Sequence, residues 1–447
     1  RKAELLRENL ARLRAAHPDY AELVAGFIRE DPLEAARRSL LFELALAAWP
    51  ERHALTMVLH NDPDCGFAGT ERHVAELTRR VLARGLGQGL AARDTVVWQV
   101  FVDRAETGTS LGLRLLAAPD AAAELDLRLP LAHAAPFLAR VLARSDTLHI
   151  HHLRGLPGAV LEVLRQAPCP RKLFTLHDFH SVCPRLNLVA ADGRHCGVPG
   201  DLGVCDRCLK RGGSGGEPGW EDTPRGGQPG LASGGPLRAH RQRMLAVLSA
   251  MDTMIFPSAS ARELFQRGMA PLREGSGARA EAGPGPKLEV QGHFLPFAAE
   301  LTGPAEPAVS TGSAAALARP GLVGLPSGRW LACLGEMTEV KGRGILVDAA
   351  PALGRAGWRC EIWGRWHGPA PSGMAGFEVT PYTGWEELAA LASRTASRHG
   401  SAPMAVCLPA VWPETFSYTL FEALVLVGRP VIVGPFGNPA AFVAERA

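Results

Sequence analysis

Glu414 and Glu422 are separated by seven residues in Trp412-Pro-Glu-Thr-Phe-Ser-Tyr-Thr-Leu-Phe-Glu-Ala-Leu424, and this spacing could put two carboxylates to shared use. The apolar pattern predicts a strand over Met404–Leu408 and a helix over Tyr418–Val427. Glu414 then lies on the loop before the helix and Glu422 inside it. Near one strand end, the two could converge on a single ligand. A helix N-terminus presents unpaired N–H groups and the positive end of the macrodipole, so it favours phosphate. Ser417, Tyr418 and Thr419 start this helix and are placed to hold a diphosphate. A solvated helix face with two unrelated glutamates fits the same spacing.

The cysteines give a second chemical signal. Of nine, Cys183, Cys196, Cys205 and Cys208 fall within 26 residues. Cys205-Asp-Arg-Cys208 has the spacing of a zinc knuckle, and Cys183 and Cys196 could complete a tetrahedral thiolate set. Asp192-Gly193 supplies a tight turn between the first pair. Structural zinc is the expectation, with free thiols or disulfides as the alternatives. Such a site would pin the loop 183–208 over the cleft and leave the chemistry to other groups. Cys65, Cys169, Cys333, Cys360 and Cys407 lie in apolar surroundings and read as small core hydrophobes.

Histidines end two predicted strands. His149-Ile-His-His152 closes one, where alternation puts His149 and His151 on one face and separates His152. These read as ordinary strand-end histidines rather than metal ligands. His177 ends another strand, and the adjacent Asp178 is expected to cap the following turn.

Elements must hold these groups in place. Residues 1–50 read as helices, with leucines at helical spacing among Arg, Glu and Ala. Strands follow over Ala54–Leu59, Val96–Val102, Thr147–Ile150, Lys172–Leu176 and Thr253–Phe256, separated by helices such as Glu71–Ala83, Pro136–Ala143, Gly158–Arg165 and Leu237–Ser249. A second series runs strand Trp330–Leu334, helix Arg343–Leu353, strand Trp358–Trp363, helix Glu386–Ser393, strand Met404–Leu408, helix Tyr418–Val427 and strand Pro430–Val433. Strands alternating with helices imply parallel, doubly wound sheets. Gly212–Gly235 and Glu274–Pro286 are Gly/Pro-rich and read as loops. The division is therefore a helical segment 1–50, an α/β domain 51–302, a linker or loop 303–328, and a second α/β domain 329–447, with a cleft between the domains as the default site.

The chain's 447 residues call for more than one core, and 47% hydrophobic with 21% charged residues allows it. A net charge of +3 gives no case for nucleic acid or an anionic membrane as main partner. The longest apolar run, Leu40–Trp49, is short and interrupted by Glu43. Arg1–Arg14 lacks the apolar segment of a secretory signal. A cytoplasmic protein is expected, with peripheral attachment to the inner membrane left open.

Four segments in order carry a family resemblance. "WPETFSYTLFEAL", continued by Gly428-Arg-Pro-Val-Ile-Val433 and Gly437, resembles the Glu-x7-Glu signature of retaining GT-B glycosyltransferases. "LHNDPDCGFAGTERHVAEL" resembles that family's opening glycine loop and helix, and "TLHDFHSVCPRLNL" and "LGEMTEVKGRGILVDAA" resemble two further segments. The resemblance runs from about Leu55 to the end. It implies a GT-B fold of two facing Rossmann-like domains, the first binding the acceptor and the second a nucleotide diphosphate sugar. It further implies hexosyl transfer to a glycan or lipid-linked acceptor, of the kind used in polysaccharide biosynthesis. Glu414 would bind donor sugar hydroxyls, Glu422 the ribose, and Lys341 the phosphates, where a cation stabilises the leaving diphosphate. His177 would face the donor sugar. Gly69, Ser417, Tyr418, Thr419 and Gly437 would line the donor site, with Tyr418, Phe436, Trp363 and Trp366 as weaker candidates for stacking. The family is thought to use front-side displacement, with the donor phosphate taking the acceptor proton, so no protein base and no catalytic metal are expected.

Two departures stand out. The family places an Arg after the glycine at Gly335, whereas this chain has Glu336, so either Arg343 or another base compensates or phosphate binding is weakened. The opening loop has Ala68-Gly69 where Gly-Gly is usual. A non-catalytic homologue that binds nucleotide sugar or a partner, or a nucleotide-sugar epimerase, would share these features. The chain also stops at Ala447, before the segment that usually crosses back to the first domain, so the second domain is expected to be truncated.

Overall fold

The structure, a computed structural model, describes residues 2–48, 53–59, 61–63, 69–85, 95–105, 108–117, 123–211, 235–274, 285–295, 322, 325–373, 376–427 and 429–445. Cys65, Ala68, Gly428, the glycine-rich 212–234 and most of 275–286 and 303–328 lie outside these residues.

Three helices lead the chain: Lys2–Ala16, Tyr20–Glu30 and Glu34–Ala48. The second buries none of its side chains. The third docks through Phe42, whose ring lies 6.4 Å from Trp98 and 4.9 Å from Phe137. Eight strands follow: β1 (His53–Val58), β2 (Thr95–Ala105), β3 (Gly108–Leu116), β4 (Leu125–Pro130), β5 (Thr147–Ile150), β6 (Arg171–Thr175), β7 (Thr253–Phe256) and β8 (Lys287–Val290). They form one sheet in the order β4-β3-β2-β1-β5-β6-β7-β8. β1 is a near-continuous buried run, as a central parallel strand covered on both faces requires.

The second sheet contains β9 (Trp330–Met337), β10 (Arg359–Trp366), β11 (Phe377–Thr380), β12 (Ala405–Leu408) and β13 (Val431–Val433). Its order is β11-β10-β9-β12-β13, and every pairing is parallel. Trp330, Trp363, Leu388 and Leu420 pack one face, while Cys333, Cys360, Cys407 and Ile362 pack the other. Cys169 is likewise buried in the first core. The protein is thus α/β with two doubly wound units, the architecture implied by the GT-B resemblance.

The first sheet differs from expectation at one edge. β2–β3 and β3–β4 are antiparallel, and neither β3 nor β4 was expected from the pattern. Their sequence hides them because β3 places Gly112 and a buried Arg114 among its apolar residues. Gly112 is needed there, since a Cβ would strike the Phe101 ring. Arg114 is tolerated because it pairs with Asp62 and Asp126, at 3.1 and 3.2 Å. The short strands β8 and β11 and the helices Leu202–Lys210, Ala259–Glu274 and Gly437–Ala444 were also not foreseen.

Candidate functional site

In the second sheet β10 and β11 wind away from β9 on one side, and β12 and β13 lie on the other. The switch point therefore falls between β9 and β12, where open α/β sheets leave a crevice at the strand ends. Gly335 near the end of β9 has φ 97°, and a Cβ there would lie 3.1 Å from Thr419. Lys341 follows in the turn that enters the helix Arg343–Arg355. Gly342, at φ 87°, caps that helix, where a side chain would collide with the Pro409 carbonyl. Lys341 Nζ donates to Glu414 Oε1 and lies 5.3 Å from the Trp412 ring.

Glu414 is buried, and its loop is held from several sides. Asn438 N donates to Glu414 O at 2.8 Å. Gly437, at φ 73°, backs onto the Pro413–Glu414 peptide so closely that a Cβ would sit 2.5 Å from Glu414 N. Gly437 therefore shapes the loop from behind. Two bonds tie the next residue to the first sheet: Thr415 Oγ1 donates to His177 O and Ser258 Oγ to Thr415 O, both at 2.7 Å.

The helix Tyr418–Val427 begins at a strained residue. Ser417 has φ 113°, and its Oγ accepts from Leu420 N at 3.3 Å and lies 3.1 Å from Thr419 Oγ1. Within the helix Glu422 is 2% exposed and bound twice, by Arg72 Nη1 at 2.6 Å and by Tyr382 Oη at 3.1 Å. The Glu422 carboxylate, against the cost of burial, raises the Arg72 pKa. Gly69 opens the helix Gly69–Arg84 beneath Tyr418, whose ring would be 3.3 Å from a Cβ there. Tyr418 Oη and Trp412 Nε1 are buried without a hydrogen-bond partner among the described residues. Such orphan groups cost about 1–3 kcal/mol each until something binds them.

The two glutamates thus flank one helix N-terminus, each carrying a cation. Lys341 was foreseen and Arg72 was not. Its signal was position alone, on the first turn of the helix that follows the opening loop. Arg343 pairs with Glu339 in the turn before its helix, and Glu336 with His367 Nε2 at 2.6 Å. Trp363 is core, Trp366 Nε1 donates to Pro369 O at 2.9 Å, and Phe436 packs against His195 with centroids 4.7 Å apart.

Histidines gather on the first-sheet side of this seam, in an arrangement the strand pattern did not suggest. His149 Nε2 lies 2.8 Å from Thr175 Oγ1, and His152 Nε2 lies 2.8 Å from Asp178 Oδ2. Asp178 also accepts from His180 N at 2.8 Å, and despite burial its histidine neighbours hold its carboxyl well below the usual range. His151 Nδ1 instead meets His177 Nε2 at 3.0 Å, with His73 beside both. His293 stacks on the group, 4.2 Å from His73 and 4.8 Å from His177 by centroid, and contacts Phe416 at 5.0 Å. His177 is thus turned onto other imidazoles.

The four clustered cysteines share one neighbourhood. Burial raises the thiols of Cys183, to about 12, and of Cys196 and Cys205, with each other's charge adding to it. Arg241, 1% exposed, lies beside them and donates to Val182 O at 2.8 Å, a buried cation suited to offset thiolate charge. Their sulfurs nevertheless do not form a group of three within 4.8 Å of one another, so zinc would have to draw them together.

No known family profile matches the chain, and no curated protein matches it. Solved structures similar to it include α,α-trehalose 6-phosphate synthase from Burkholderia multivorans, 12% identical, covering 88% of this chain and 84% of that one at TM-score 0.45. The catalytic domain of starch synthase IV from Arabidopsis thaliana, bound to ADP and acarbose, is 10% identical over 86% and 83% at TM-score 0.39. An α-glucosyltransferase in complex with UDP is 11% identical over 79% and 73% at TM-score 0.37. At these values they assign neither a family nor the role of any residue. No described helix is long and apolar enough to cross a membrane.

Proposed function

We propose that the protein is a retaining glycosyltransferase that moves a hexosyl group from a nucleotide diphosphate sugar to a glycan or lipid-linked acceptor. One observation carries the reading: Glu414 with Lys341, and Glu422 with Arg72, flank the N-terminus of Tyr418–Val427 at the switch point of the second sheet. A diphosphate suits that helix end and Lys341, sugar hydroxyls suit Glu414, and a ribose suits Glu422 once Arg72 yields. Tyr418 Oη and Trp412 Nε1 supply further polar contacts. The residues 51–302 serve the acceptor and 329–447 the donor. Zinc on Cys183, Cys196, Cys205 and Cys208 remains part of this reading as a structural element, supported by the buried Arg241 beside them.

The test is a thermal-melt screen against UDP, GDP, ADP and dTDP on the wild type and Lys341→Ala. A nucleotide at 100 times its dissociation constant stabilises by about 2.7 kcal/mol. The reading expects a shift with one nucleotide that Lys341→Ala removes, together with transfer or donor hydrolysis that Glu414→Ala abolishes. Binding without turnover leaves a non-catalytic homologue, and a new nucleotide sugar formed without acceptor identifies an epimerase. No shift with any nucleotide rejects a donor site here.

A further inference from the structure

His73, His151 and His177 reach one point from three separate elements. His73 lies on the helix after β1, His151 just past β5, and His177 just past β6, all at the carboxyl ends of parallel strands. One ligand atom from each lies within 4.8 Å of the other two, and all three residues are buried. Among the described residues no other three His, Cys, Asp or Glu side chains meet that condition. We propose that His73, His151 and His177 bind one divalent transition-metal ion of the zinc type.

Three imidazoles from three segments form the ligand set of an open tetrahedral site, and the His293 ring packs against those of His73 and His177. The cluster is unsatisfactory without an ion. His73 Nδ1 and His151 Nε2 are buried with no hydrogen-bond partner among the described residues, and His151 Nδ1 faces His177 Nε2 at 3.0 Å. A neutral imidazole has one donor and one acceptor nitrogen, so His151 and His177 can share one N–H while His73 Nδ1 and His151 Nε2 stay unpartnered. A metal takes up imidazole lone pairs as bonds. Burial lowers the pKa of His73 to about 4 and also depresses those of His151, His177 and His293. Glu76 of the same helix sets its negative charge against His73.

The ion would brace three strand ends of the first sheet. It would also act on the second, because His177 O accepts from Thr415, next to Glu414. This inference rests on geometry apart from the donor site, but it conflicts with the expected contact of His177 with a donor sugar. A nitrogen bound to metal cannot also donate to a sugar.

The experiment uses the full chain, stripped with a chelator and titrated with Zn2+ or Co2+, alongside a Cys205→Ser/Cys208→Ser variant that silences the thiol set. That variant should still take up about one ion per chain, as one site requires. Its cobalt form should show ligand-field bands without a thiolate charge-transfer band. Wild-type Co2+ protein should show hyperfine-shifted imidazole N–H proton signals, a readout that needs no histidine variant. His73→Ala should lose the ion and the rise in melting temperature that metal gives the parent. Absence of bound metal in the cysteine variant, or of shifted imidazole signals, overturns the proposal. The nucleotide melt on the same preparations reports separately on the donor site.

Discussion

Arg72 Nη1 donates to Glu422 Oε1 at 2.6 Å, joining the first helix of one sheet to the helix that follows β12 in the other. Glu422 is nearly sealed from solvent and Arg72 is about one-fifth exposed, so this is a largely buried pair. Breaking such a pair from one side strands a charge, and Arg72→Ala should cost about 2–4 kcal/mol in chemical denaturation. A double-mutant cycle with Glu422→Gln should give a coupling above about 0.5 kcal/mol. Additive effects would show that the two side chains do not interact in solution.

Glu414 depends on a neighbour that sequence reasoning treated as a ligand contact. Gly437 holds φ 73° against the Glu414 backbone, so Gly437→Ala meets both a strained dihedral and a collision. A loss of about 2–5 kcal/mol is expected. Gly400→Ala is the control: it has φ 62° and nothing within 4 Å of a Cβ, so only strain, about 1–2 kcal/mol, applies. Equal losses for the two would remove Gly437's packing role.

Much of this was legible beforehand where pattern and position coincide. The helix Tyr418–Val427 and the strands β9, β10, β12 and β13 follow from apolar runs broken by glycine and proline, with Glu414 and Lys341 on loops at their ends and Glu422 inside the helix. β3 escaped because its partners excuse it: Phe101 fills the space beside Gly112, and two aspartates neutralise Arg114. The histidine group escaped for a different reason. His73, His151 and His177 are far apart in sequence and meet only through the β1-β5-β6 strand order, which no local spacing encodes. Local spacing pointed to His149 and His151 as neighbours, which they are with centroids 4.1 Å apart, and tertiary packing added the contact of His151 with His177.

The thiol set has its own expected outcome. Native protein carrying zinc on Cys183, Cys196, Cys205 and Cys208 should resist thiol reagents at these positions until chelated, and then release about one equivalent of metal with four thiols, beyond any ion held by the histidines. Arg241→Met should weaken that retention by removing the buried cation beside the sulfurs. Full thiol reactivity in untreated protein, with no metal released, would leave the four as free cysteines.

Acid should destabilise the protein well above the carboxylate range, and His240 isolates one contribution. Burial lowers its pKa to about 4, although its Nε2 meets His180 O at 2.6 Å. In the unfolded chain the ordinary value is about 6.5, so between pH 6.5 and 4 the unfolded state binds a proton that the folded state refuses. The favourable contribution is therefore complete above pH 6.5 and is lost as pH falls toward 4, at about 1.4 kcal/mol per pH unit. His240→Gln keeps an amide donor for the His180 carbonyl and removes the titration. Measured with chelator present, its stability should fall less steeply than wild type across that window, by about one proton in the linkage slope. Parallel pH profiles for the two proteins would mean that His240 takes up its proton as readily in the folded as in the unfolded state.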